Sequence, residues 1–263
     1  GTGKTPVVQS MVRYLQSKGY QPGVITRGYG GALTNFPHLI ESQDTSQIVG
    51  DEPFMLCQSL NIPVVVDPVR ARAVSFILEQ GVDIIISDDG LQHYKLARDI
   101  EIIVIDHSRQ FGNGLLLPAG PLREPTSRVK SASYVIRNYG RSRSSGKPDE
   151  ETERAKAFGV EMYLLQGELI NVKTGKTKKL KEFVGSRVHA VAGIGNPERF
   201  FESLSNNQLT VIPHAFSDHH PLVESEIIFA DGNPVIMTEK DAVKCEAFAQ
   251  AHHWVVSVEA NMD

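Results

Sequence analysis

An α/β fold built on a mostly parallel sheet is predicted here by three features of the sequence. Short β-branched runs alternate with segments of helical periodicity. Those runs are apolar on consecutive residues, as expected of parallel strands covered on both faces. The chain also opens on a glycine-rich turn that leads directly into a helical pattern. Together they imply a P-loop NTPase-like architecture, with ligands at the C-terminal ends of the strands.

The elements follow in order. Gly1-Thr2-Gly3-Lys4-Thr5 matches the end of the pattern G-x-x-x-x-G-K-[ST]. Such a loop wraps phosphates in backbone N–H groups, sets its lysine on the β/γ-phosphates and its hydroxyl on Mg²⁺. A plain glycine-rich turn at a helix start uses the same residues. The context favours the loop, because Val7, Val8, Met11, Val12 and Leu15 recur at helical spacing and Gly19 closes the segment. The loop's first glycine and the strand that should precede it are not in the sequence, so a fragment of a longer chain is expected.

Strands are predicted at 23–26, 63–66, 82–87 and 101–106, with a helix over 70–80. Residues 141–156, rich in Ser, Lys, Arg and Glu, read as a solvated connection. A β-hairpin follows, 161–170 against 177–180, turning near Gly175. Its lysines suit a solvated edge or contact with anionic headgroups. A second α/β unit then has strands at 189–192, 210–212, 234–238 and 255–258 and a helix over 198–204. The resulting division is a P-loop domain over 1–140, a linker with the hairpin over 141–186, and a second, smaller α/β domain over 187–263.

Composition narrows the function. A net charge of −4 without a basic tract argues against a nucleic-acid partner. Cys57 and Cys245 stand far apart, outside any CxxC pair or metal-ligand spacing, as ordinary thiols of a reducing compartment. No apolar run reaches the ~18 residues of a membrane span.

Several segments can carry chemistry. The strand at 84–87 ends in Asp88-Asp89-Gly90, and a strand-end carboxylate is what a P-loop needs to hold the Mg²⁺ shell. Gly50-Asp51-Glu52-Pro53 puts paired carboxylates at a helix start. Read alone, they suit a helix cap; in a phosphoryl-transfer site one could take a hydroxyl proton and the other hold metal. Ser217-Asp218-His219-His220 could bind metal, orient a general base, or form a polar surface loop. Gly193-Ile194-Gly195 lacks the third glycine of a dinucleotide fingerprint, and Lys240-Asp241 has the wrong spacing for a guanine-reading element.

In series these segments are more specific than any one alone. The chain runs from Gly3-Lys4-Thr5-Pro6 through Thr26-Arg27-Gly28-Tyr29-Gly30-Gly31, Gly50-Asp51-Glu52-Pro53 and Ser87-Asp88-Asp89-Gly90-Leu91-Gln92-His93. It continues with 112–125, which ends in Gly120-Pro121-Leu122-Arg123-Glu124-Pro125, then Gly193-Ile194-Gly195-Asn196-Pro197, Asp218-His219-His220 and Thr238-Glu239-Lys240-Asp241. This closely resembles the tetraacyldisaccharide 4′-kinase family over nearly the whole chain. The resemblance implies transfer of the ATP γ-phosphate to the 4′-hydroxyl of a tetraacylated disaccharide 1-phosphate, giving lipid IVA for lipid A biosynthesis. ATP and Mg²⁺ are the implied cofactors. It implies Asp51 as catalytic base, His219 as its partner and Lys4 as the phosphate lysine, with Gly1, Thr2, Gly3, Lys4 and Thr5 around the nucleotide. Thr5, Glu52, Asp88 and Asp89 are implied at the metal, and Arg27, Tyr29, Gln92, His93 and Arg123 at the substrate. The implied setting is a monomer at the cytoplasmic face of the Gram-negative inner membrane, contacted through a segment upstream of Gly1. The competing expectations are another P-loop small-molecule kinase and a non-catalytic NTP switch, for which Asp51 and His219 would be dispensable.

Overall fold

The computed structural model describes residues 2–140 and 159–262; Gly1 and the expected connection at 141–156 lie outside them. Helix α1 (Lys4–Ser17) is followed by β1 (Pro22–Thr26), β2 (His38–Leu39), α2 (Ser46–Val49), α3 (Asp51–Leu60), β3 (Val64–Val66), α4 (Arg70–Leu78) and β4 (Ile84–Ser87). Strands β5 (Ile102–Asp106), β6 (Tyr134–Asn138), β7 (Gly159–Asn171), β8 (Thr177–Lys178) and β9 (Arg187–Ala192) come next. Helix α5 (Pro197–Asn206), β10 (Thr210–Ala215), α6 (Glu224–Ile227), β11 (Val235–Thr238), α7 (Glu239–Cys245) and β12 (His253–Met262) complete the order.

The strands form two sheets. One has the order β2-β3-β1-β4, parallel except at β2. The other runs β10-β9-β11-β12-β7-β6-β5, parallel along this path except where β12 meets β7, with β8 paired antiparallel to β7 off it. The α/β, mostly parallel expectation therefore holds. Strand pairing, however, runs across the expected limits at 140 and 187, because β5 and β6 join β9–β12 through β7. The break in composition falls between β6 and β7, which are neighbours in one sheet, so it does not mark a sheet edge. The division into 1–140, 141–186 and 187–263 thus remains a proposal, which limited proteolysis can test.

The packing explains what the site is built on. Val8 and Val12 of α1, Val24 of β1, Phe54, Leu56 and Leu60 of α3, and Val64 and Val66 of β3 share one buried cluster, with Val243 of α7 against it. Elements from both ends of the chain are thereby held on one core. Cys57 and Cys245 are free thiols, and burial pushes Cys245 up to about 12.

Candidate active site

The loop at the start of the chain folds as its sequence requires. Gly3 has φ +92°, a left-handed conformation that side chains resist. Lys4 and Thr5 follow as the first residues of α1, where unpaired backbone N–H groups favour anions. Asn138, at the end of β6, donates from Nδ2 to the Thr2 carbonyl at 2.9 Å and so ties the loop to the larger sheet.

The lysine meets the strand-end carboxylates. Lys4 Nζ lies 2.6 Å from Asp89 Oδ1, and Arg123 Nη1 lies 3.0 Å from Asp89 Oδ2. Burial would raise the Asp89 carboxyl, but the bonds and charges of Lys4 and Arg123 outweigh it and hold the group below its usual range. Asp88 is almost wholly buried. Burial, reinforced by the negative charge of Glu52, pushes it up to about 6, with Lys4 opposing. Arg70, also buried, positions this turn: it donates to the carbonyls of Asp67 at 2.8 Å and Asp88 at 3.1 Å.

A second cluster gathers around Asp51. Gly50 has φ +97°, and an added Cβ would lie 2.9 Å from the Tyr29 carbonyl, so only glycine lets α3 start against the 28–31 loop. Asp51 Oδ2 then lies 3.5 Å from His219 Nδ1 and 3.7 Å from Lys244 Nζ. Lys244 also contacts the fully buried Asp241 at 3.1 Å. Asp241 in turn accepts from the Gly193 N–H at 2.9 Å, which fixes the glycine turn after β9. Lys240 reaches Asp218 at 2.7 Å, His219 Nε2 at 3.2 Å and Glu52 at 3.6 Å. Burial would raise the Asp218 carboxyl, but the Lys240 bond and charge, with His219, bring it below its usual range. Glu52 joins the two clusters, because it faces Lys240 on one side and acts on Asp88 on the other.

The remaining expected residues divide between these clusters. Tyr29 is exposed and sets its ring edge-on to His219, 5.0 Å between centroids. Gln92 donates to Glu124 at 2.6 Å and accepts weakly from Arg123 at 3.4 Å. Burial, then the nearby charges of Arg70 and Arg27, lower His93 from its usual range. Arg27 is exposed beyond β1. The His/Asp segment is divided: His219 faces Asp51, while His220 bonds Glu226 at the start of α6, at 2.9 Å. Lys240 and Lys244 were not expected at the site. Their spacing of four on a helix, which puts both on one face, was the signal available. Arg70 had no comparable signal.

Among the described residues no three His, Cys, Asp or Glu side chains converge on one point as a metal cage would require. This is compatible with Mg²⁺ at a nucleotide, which takes one or two carboxylates plus phosphate oxygens. The donors present fit that chemistry. Asp88 is a buried carboxylate whose neighbours Glu52 and Asp89 are also acidic, and a cation would relieve their mutual repulsion.

The chain was compared with known proteins. The profile of the family described as "Tetraacyldisaccharide-1-P 4'-kinase" matches residues 1–263. A relative named tetraacyldisaccharide 4'-kinase from Photobacterium profundum is 45% identical over 99% of this chain and 72% of its own length. One of the same name from Ruthia magnifica is 43% identical over 100% of this chain and 79% of its own. The crystal structure of LpxK from Aquifex aeolicus in complex with ATP aligns with a TM-score of 0.82 at 23% identity, covering 100% of this chain and 81% of that one. That likeness bears out the P-loop kinase fold. The profile match and the identities over nearly the whole chain place this protein in the tetraacyldisaccharide-1-P 4'-kinase family.

Proposed function

We propose that this chain is the phosphotransferase its family describes, moving the γ-phosphate of ATP to the 4′-hydroxyl of a tetraacyldisaccharide 1-phosphate in lipid A biosynthesis. The observation that carries the reading is the 3.5 Å approach of Asp51 to His219, from opposite ends of the sequence. A sugar hydroxyl is a weak nucleophile. Asp51 would take its proton as the new O–P bond forms, a form of help typically worth ~10²–10⁴-fold. His219 would orient the carboxylate, and Lys4 would turn from Asp89 to the β/γ-phosphates. Thr5 and Asp88 would hold Mg²⁺ together with the nucleotide's phosphate oxygens, with Glu52 and Asp89 as the acidic groups around it. When bound, Mg²⁺ neutralises charge on the phosphate oxygens. Gly3 and Thr2 would present backbone groups to the nucleotide; the expected contribution of Gly1 lies outside the described residues. Arg123, Gln92, His93, Arg27 and Tyr29 line the sides where the acceptor would enter.

A lipid acceptor agrees with the loop before Arg123. Leu115, Leu116 and Leu117 are 52%, 45% and 63% exposed. Their loop is nonetheless ordered by its own backbone bonds, Leu117 N–H to the Leu122 carbonyl at 2.8 Å and Gly120 N–H to the Leu116 carbonyl at 3.0 Å. No helix among the described residues is long and apolar enough to cross a membrane. We place the enzyme peripherally at the cytoplasmic face of the inner membrane, as a monomer. The test is ATP turnover with and without the tetraacylated acceptor, in wild type and Asp51→Asn. Acceptor-dependent turnover that the substitution abolishes is expected. Turnover indifferent to both would instead indicate an NTP switch.

A further inference from the structure

We infer that Arg128 is a positioning residue that sets the turn after β4 against the loop carrying Arg123; the inference rests on the reading of Arg123 and Gln92 as acceptor contacts. Arg128 stands on a short 3₁₀ turn, Thr126–Ser131, that precedes β6. Its Nη2 donates to both oxygens of Glu101, at 2.6 and 2.7 Å, and its Nε donates to Glu124 Oε2 at 3.0 Å. Glu124 Oε1 then accepts from Gln92 Nε2 at 2.6 Å. Glu101 also holds Arg98, whose Nε lies 2.8 Å from Oε1. Arg98 Nη1 in turn donates to the carbonyls of Gly90 at 2.9 Å and Leu91 at 3.2 Å. The bonds close a ring that runs from the 90–92 turn through Glu124, Arg128, Glu101 and Arg98 back to the turn.

Each link fixes a direction. An ionised carboxylate only accepts, so the Gln92 amide must turn its NH₂ to Glu124 and its oxygen to Arg123. That is the order found, at 2.6 and 3.4 Å. The same Arg123 nitrogen reaches Asp89 Oδ2 at 3.0 Å. Asp89 has φ +49°, a conformation uncommon outside glycine, so contacts around the turn must hold it. Arg128, Glu101 and Glu124 are 20%, 15% and 13% exposed, so these pairs are sheltered from the water that weakens ion pairs at the surface. A planar guanidinium presents separate donors to the two carboxylates in fixed directions, whereas an ammonium is a point charge on a flexible stem. Arg128 therefore acts on the acceptor side at one remove: it orients Glu124, Glu124 orients Gln92, and Gln92 with Asp89 aims the guanidinium of Arg123.

The experiment is steady-state kinetics of the full chain, with tetraacyldisaccharide 1-phosphate in detergent micelles and MgATP. Wild type is compared with Arg128→Gln, Arg128→Lys, Arg123→Gln, and Arg128→Gln combined with Arg123→Gln. Arg128→Gln should raise the acceptor KM and lower kcat/KM for the acceptor about 10- to 100-fold, the scale of a small misplacement of binding groups. The KM for ATP should change less than about 3-fold, because the ring does not include the nucleotide loop. KM is read from folded molecules only, so it reports the site even where part of a variant unfolds. Arg128→Lys keeps the charge, loses the fork and should retain most of the defect. Added to Arg123→Gln, Arg128→Gln should cost less than about a further 3-fold, since both act through one guanidinium. An unchanged acceptor KM, with kcat lowered only in proportion to the folded fraction, would overturn the inference by making Arg128 a support of the fold alone. Full recovery in Arg128→Lys, or losses that multiply in the double variant, would overturn it too. Arg123→Gln separates the two readings. If that variant keeps wild-type acceptor kinetics, the acceptor placement fails and the inference with it; if it is impaired while Arg128→Gln is not, the inference alone fails.

Discussion

On the nucleotide side of the site, Lys4 and Asp89 are each 44% exposed and Arg123 is 58% exposed. On the acceptor side, Lys244 is 6%, Lys240 11% and Asp51 14% exposed. Exposed ion pairs contribute little and exchange partners readily, with a median of about 0–1 kcal/mol. Buried ones are costly to break, because the charge left behind has no partner. The contrast suits a binding half whose lysine trades Asp89 for phosphate, beside a chemical half set in place before any ligand arrives. Preorganised charge of the second kind needs no rearrangement as reaction proceeds.

The largest expected effects are on turnover. Asp51→Ala and His219→Ala should each lower kcat, Asp51→Ala by about 10²–10⁴-fold. If the two residues act as one unit, the double variant should be no worse than Asp51→Ala alone within a few-fold. Steady-state assays decide this, and losses that multiply would break the pairing. Lys4→Ala should also lower kcat severely, through the phosphate contacts and not through Asp51.

Stability should rank the halves in the opposite order to their exposure to ligand. Lys244→Met leaves Asp241, 0% exposed, without its cation. Breaking a buried pair in this way costs about 3–5 kcal/mol. Urea unfolding should show a loss near the lower end, because Thr238 and the Gly193 N–H still bond Asp241. A loss below about 1 kcal/mol would put Lys244 in the same class as the exposed pairs.

Asp88 is the exception on the nucleotide side, a buried carboxylate standing at about 6 against an ordinary 3.8. Its sign is destabilising at neutral pH. The folded state holds this proton more tightly than the unfolded state. The associated stability is present in full below 3.8 and lost as pH rises through about 6. Asp88→Asn should therefore raise stability at pH 8 in the presence of EDTA by up to about 3 kcal/mol, the gain vanishing near pH 4. The same change should remove activity. Thermal unfolding at both pH values checks it; equal gains at pH 4 and pH 8 would mean that charge is not the cause.

How much of this was legible beforehand differs between strands and side chains. Strands β1, β3, β4, β5, β9 and β11 are dense β-branched or apolar runs, and each lies within a few residues of its expected place. Strand β6 was missed, because its last residues, Arg137 and Asn138, are buried polar groups that break the apolar pattern. The continuous sheet from β5 to β12 was missed for a related reason. It depends on the long β7, whose pairing with β6 and β12 has no local signature. At the site, the strand-end aspartates and the P-loop lysine announce themselves by position. Asp51 and His219 were singled out as carboxylate and imidazole, but only the resemblance paired them. Residues read alone do not say which distant loops share a core. Lys240 and Lys244 sit in a short helix, Lys240 in a first turn that is acidic at Glu239 and Asp241 and Lys244 in the last turn, and an ordinary charged helix face looks the same in sequence.

The smallest effect is the most direct test of the contrast between the halves. Lys4 and Asp89 approach to 2.6 Å, and a distance that short invites the view that the pair holds the loop in place. Their exposure argues otherwise. Water solvates both groups when they part, and two side chains lose freedom when they meet. A double-mutant cycle with Lys4→Met and Asp89→Asn, read by urea unfolding without nucleotide, should give a coupling of about 0.2–1 kcal/mol. It should shrink further as salt is raised to about 1 M, where the screening length falls to ~3 Å. A coupling above about 2 kcal/mol that survives salt would show that the nucleotide loop is locked by this pair. In that case ATP would have to break a strong contact before binding, and the nucleotide half would be as rigid as the acceptor half.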